Sequence, residues 1–120
     1  MNAANLYEQL YDRLKKVDGL TKMYIGRTKD LSDAISRHQA EGYNYTVEIA
    51  YGDVETIREG EIFLIRKFKE SDLTSMNDHD GGGPNESTKL YVSYSCNPLY
   101  STMHDLENGE LDWEVVELVK

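Results

Sequence analysis

Two side chains stand where a core-facing residue is expected to be apolar. Over residues 54–72, "VETIREGEIFLIRKFKESD", the spacing predicts a helix with Ile57, Leu64, Ile65 and Phe68 as its apolar stripe. Glu61 lies on that stripe. A carboxylate facing a core costs several kcal/mol unless it is ion-paired, hydrogen-bonded or bound to a cation. A salt bridge with Arg58 or Lys22 and a metal site are equally compatible with this position. His38 poses the same question in "KDLSDAISRHQAEG", a predicted helix with Leu31, Ala34, Ile35 and His38 on one face. An imidazole there is a satisfied core group, a ligand or an acid/base group.

The elements that position these residues follow from turn and cap signals. Asp30 or Ser32 can cap the helix that carries His38, and Gly42 ends it. "DG" at Asp18 and Gly19 marks a turn, and "TKMYIGRT" after it has the composition of a strand. "YTVEIAYG", "KLYVSYS" and "LDWEVVELV" read as further strands, and "SMNDHDGGGPNEST" as a loop. "ANLYEQLYDRL" suits a helix through Leu6, Leu10 and Leu14, and Leu10 with Tyr11 also suits a short strand. The expected fold is a small α/β domain, with two strands appended after residue 84 as a C-terminal β extension of the same domain.

"YIGRTKDLSDAISRH" followed by "EIFLI" resembles the GIY-YIG nuclease domain. Tyr24, Ile25, Gly26, Thr28, Leu31, His38, Glu61, Leu64 and Ile65 match its pattern, which covers about the first 80 residues. In "QLYDRLKKVDG", Tyr11 takes the place of the GIY tyrosine, with Tyr7 as a competing choice, and Asn77 looks like the family's late asparagine. The resemblance implies a central, mainly antiparallel sheet flanked by helices over residues 1–84. It also implies hydrolysis of a DNA phosphodiester with Mg2+ or Mn2+ on Glu61. Tyr24 and Tyr11 would position and help deprotonate the attacking water, and His38 would bind phosphate or assist proton transfer. Gly26, Arg27, Thr28, Arg37 and Asn77 would line the substrate side.

The chain departs from the family pattern at the helix arginine, whose position holds Ala34. Loss of a preorganised phosphate clamp typically costs ~10²–10³-fold in rate. A poor nuclease is therefore expected. Either the domain is a natural pseudonuclease that binds DNA or protein, or Ala34 is a deliberate replacement of arginine. The otherwise complete site favours the second. Arg27 lies in the turn before the helix and Arg37 three residues from Ala34, so neither reads as a substitute. Ala34→Arg is then expected to restore metal-dependent cleavage.

Composition narrows the remaining classes. Residues 1–69 hold 11 Lys+Arg and 11 Asp+Glu, whereas residues 70–120 hold 2 and 11, so the whole net charge of -9 lies in the second part. Bulk electrostatic attachment to nucleic acid is disfavoured, although a local basic cleft remains open to the first part. A single cysteine, Cys96, excludes an internal disulfide framework. No run has the length or hydropathy of a membrane span, and a soluble, intracellular protein is expected. The glycines at 81–83 lack a P-loop lysine, and His79, His104, Asp78 and Asp80 lack the spacing of a metal site. Tyr91, Tyr94 and Tyr100 are expected to fill strand faces. Target choice would fall to a homodimer, a specificity partner or residues 85–120.

Overall fold

A computed structural model describes residues 3–16, 20–43, 45–70, 86–96, 106–107, 110–111 and 114–118. The elements in chain order are helix α1 (Ala3–Lys15), strand β1 (Leu20–Thr28), helix α2 (Leu31–Ala40), strand β2 (Tyr45–Gly52), helix α3 (Val54–Glu70), strand β3 (Lys89–Cys96), the short strands β4 (Leu106–Glu107) and β5 (Glu110–Leu111), and strand β6 (Val116–Leu118). The main sheet has the order β1-β3-β2-β6. β3 runs antiparallel to both β1 and β2, and β6 joins β2 in parallel. β4 and β5 form a separate antiparallel pair.

β1 and β2 are both antiparallel to β3, so they are parallel to each other, linked through α2 with one strand inserted between them. This is a split βαβ arrangement. The expected small α/β domain is present, its sheet flanked by helices, and the strands after residue 84 belong to the same core. β3 is the middle of that core, and without it β1 and β2 have no shared hydrogen-bond ladder.

Helix boundaries follow the local chemistry. The Asp30 carboxylate accepts from the backbone N–H groups of Ser32 and Asp33, and Gly42 after α2 has φ 98, a left-handed conformation that suits glycine. The Asp53 carboxylate accepts from Thr56 N–H at 2.8 Å at the start of α3, and Lys67 and Lys69 occupy its last turn, where the helix dipole favours cations. The ambiguous stretch near the N-terminus is the helix α1, with Tyr7, Leu10 and Leu14 buried.

Side chains opposite one another in an antiparallel ladder share a face, so the register sorts the sheet. Met23, Ile25, Leu90, Val92 and Tyr94 face α1 and α3 and join Ile57, Leu64, Ile65 and Phe68 in the core. Tyr24, Gly26, Thr28, Tyr91 and Ser93 lie on the other face, with α2. This second face carries hydroxyls and an imidazole where the first carries aliphatics, and the candidate site lies there.

Candidate functional site

β1 and β3 form the floor of the site and α2 its wall. The register sets Tyr91 opposite Gly26. A methyl group at Gly26 would lie 2.5 Å from Tyr91 Cζ and closer still to its hydroxyl, so only glycine leaves room for the ring. The ring then brings its hydroxyl to 2.7 Å from His38 Nε2 and 3.2 Å from Arg37 Nη2, which donates to it. Tyr24, half-buried, packs on the His38 ring with centroids 4.6 Å apart. Tyr43 closes the far side of the imidazole, edge to face at 5.7 Å.

Protonation follows from the neighbours. Burial lowers the His38 pKa, and Arg37 lowers it further against the opposing Glu41, so the imidazole is neutral near pH 7. Glu41 Oε1 sits 3.1 Å from His38 Nδ1 and favours the proton on that nitrogen. Nε2 is then the acceptor and Tyr91 the donor. Burial pushes the Tyr91 hydroxyl up to about 12, against the lowering effect of Arg37, and Tyr24 and Glu61 add to the rise. The cluster is a neutral phenol between a base and a fixed cation. It can pass a proton from the phenol to Nε2 while the guanidinium holds an anion.

Buried tyrosines make the fold sensitive to alkali. Tyr7 and Tyr91 are both raised from 10.0 to about 12, so their contribution is intact below pH 10 and is lost as pH rises from 10 toward 12. Urea midpoints should fall across that window, and Tyr91→Phe should remove part of the slope. His38 acts at the other end. Its folded pKa is depressed, so its contribution is complete above 6.5 and declines as pH falls through the folded value.

Gly26→Ala should cost about 1–3 kcal/mol of stability, because the added methyl must displace a packed ring. Urea unfolding measures this, and a cost below about 0.5 kcal/mol would show that the ring has another place to go.

The structure divides the residues singled out by the sequence. Tyr24, Gly26, Arg37 and His38 come together. Tyr11 does not, because it lies on α1 and packs edge to face on Phe68, on the opposite side of the sheet. No GIY-like strand forms there. Tyr7 is no substitute, since its hydroxyl donates to the Thr56 carbonyl and braces α1 on α3. Thr28 fixes the β1–α2 turn, its hydroxyl donating to the Asp30 carbonyl and accepting from the Asp30 N–H. Ala34 is wholly buried. Asn77, with His79, His104, Tyr100 and the glycines at 81–83, lies outside the described residues.

Tyr91 is the site residue that sequence reasoning missed. The available signal was "LYVSY", a run without charges of the kind a strand buried on both faces requires. Tyr94 follows the expectation for strand-filling tyrosines and stacks on Tyr45 in the core. Arg37, expected on the substrate side, places its guanidinium on the Tyr91 hydroxyl.

Glu61 has a different partner from those expected. Arg27 Nε lies 3.3 Å from its Oε1, with the two side chains 4% and 2% exposed. Arg58 instead contacts Glu55. Arg27 shares with Ile25 the face toward α3, so the pair lies across the sheet from His38 and Arg37. A hard divalent ion on one carboxylate needs open positions for water and phosphate oxygens. A buried carboxylate already against a guanidinium does not offer them, and no group of three His, Cys, Asp or Glu side chains suited to a metal occurs among the described residues. The Glu61 site as built does not fit Mg2+ or Mn2+.

No family model matches the chain, and no curated protein or solved structure matches it either. Among the described residues, no helix is long and apolar enough to cross a membrane.

Proposed function

We propose that the chain is a DNA endonuclease of the GIY-YIG type, with Tyr91 in the role that the sequence assigns to Tyr11 and Arg37 as its phosphate-binding cation. The observation that carries this reading is the Tyr91 hydroxyl held between His38 Nε2 and Arg37 on the sheet face shared with Tyr24. Together these residues supply a proton acceptor, a proton carrier and an anion-binding donor.

The reaction is hydrolysis. Water attacks phosphorus as the ester P–O bond breaks. The water proton passes to the Tyr91 oxygen while Tyr91 gives its own to His38 Nε2. The resulting imidazolium is stabilised by Glu41, and the leaving oxygen takes a proton from solvent. Arg37 is the exposed member of the cluster and meets the phosphate, and Tyr24 orients the imidazole by packing on it. The test is incubation of the unsubstituted chain with duplex, single-stranded and branched DNA. Cleavage above a protein-free control, lost in His38→Ala, supports the reading, and its absence on all three substrates overturns it.

The second reading is a pseudonuclease that binds DNA or protein without cutting. Its specific support is the burial of Ala34 and of the Arg27–Glu61 pair, both at positions where the resemblance implies catalytic groups. Binding of short duplex DNA without cleavage would favour it.

A further inference from the structure

We infer that Arg27 is the resident cation of Glu61, a guanidinium in the place where the resemblance implies a divalent metal, and that it keeps such ions off this carboxylate in the native chain. The inference concerns metal binding and holds whether or not the chain cuts DNA.

Glu61 lies on the core-facing stripe of α3, among Ile57, Leu64 and Ile65, and is 2% exposed. A carboxylate so placed stays ionised at little cost only when it is ion-paired, hydrogen-bonded or bound to a cation. β1 supplies one. Position 27 follows Met23 and Ile25 on the same strand face, and its long side chain reaches Glu61 with 3.3 Å between Nε and Oε1. The guanidinium is planar and more weakly hydrated than an ammonium, which suits it to a buried ion pair with a carboxylate. Mg2+ and Mn2+ would have to displace this buried cation and lose most of their hydration, with no group of three His, Cys, Asp or Glu side chains suited to a metal among the described residues to compensate. The two cations compete for one anion, and the covalently attached one is present at high effective concentration.

Two consequences follow. Divalent ions leave the Glu61 region of the native chain unoccupied at millimolar concentration. Removing the guanidinium while keeping the carboxylate converts the same position into a weak site for a hard cation.

Paramagnetic broadening by Mn2+ in amide NMR spectra tests both, since it reports proximity to the ion residue by residue. In the unsubstituted protein, amides around residues 25–27 and 59–63 should broaden no more than in Glu61→Gln, a comparison in which the exposed Glu59 contributes equally to both. In Arg27→Gln they should broaden selectively, and in Arg27→Gln with Glu61→Gln the broadening should vanish. Selective broadening around Glu61 in the unsubstituted protein overturns the inference, as does its absence in a folded Arg27→Gln protein. If Arg27→Gln does not fold, the unsubstituted protein decides alone. Absence of DNA cleavage counts against the proposed function and leaves this result intact.

Discussion

Arg27→Ala is expected to lower the unfolding free energy by about 3–5 kcal/mol, the range for breaking a buried ion pair by removing one partner. The loss comes less from the missing attraction than from the Glu61 carboxylate left in the core. Both side chains of the pair are almost fully buried, so solvent screening does not reduce the effect. The double variant Arg27→Met with Glu61→Leu separates the two contributions. It removes the uncompensated charge with the pair and should unfold near the unsubstituted protein or above it. Urea denaturation of the three proteins provides the comparison. A cost below about 1 kcal/mol for Arg27→Ala would show that Glu61 finds water or another cation on unfolding only part of α3.

Tyr91→Phe should reduce DNA cleavage by ~10²–10⁴-fold, the usual contribution of a positioned proton-transfer group. The substitution deletes one oxygen, together with the hydrogen bonds to His38 and Arg37, and leaves the ring seated over Gly26. Stability should therefore fall by only about 1–3 kcal/mol, the cost of leaving buried polar groups without this partner. Rate and unfolding measured on one preparation separate a catalytic role from a structural one. An equal loss of fold and rate would make Tyr91 a packing residue.

What was legible in the sequence was local. Asp30 and Gly42 marked the ends of α2 because a cap and a left-handed glycine act within a few residues. Periodicity placed His38 on the inner face of α2 and Glu61 on that of α3 for the same reason. Strand pairing is not local. Nothing between residues 20 and 52 states that β1 and β2 leave a slot between them, and the strand that fills it starts 37 residues after β2 ends. The tyrosine beside His38 therefore comes from β3 and not from the upstream segment, whose leucines at four-residue spacing make it a helix. The resemblance puts Arg27 on the substrate side, whereas strand alternation puts it on the face of Met23 and Ile25, toward α3. The buried carboxylate was recognised, and its partner required the three-dimensional crossing of α3 over β1.

These corrections also change the meaning of Ala34. Its burial at the α2–sheet contact leaves no room for an added guanidinium without moving the helix, and Arg37, one turn round, already reaches the tyrosine oxygen. The arginine to vary is Arg37, at the rim of the cluster.

The most direct test of the central claim is single-turnover DNA cleavage by four proteins: the unsubstituted chain, His38→Gln, Tyr91→Phe and the double variant. If the imidazole and phenol move one proton as a unit, each single substitution should lose most of the rate and the double little more. A double variant whose loss is the product of the two single losses, or single variants that cut at the unsubstituted rate, would contradict it.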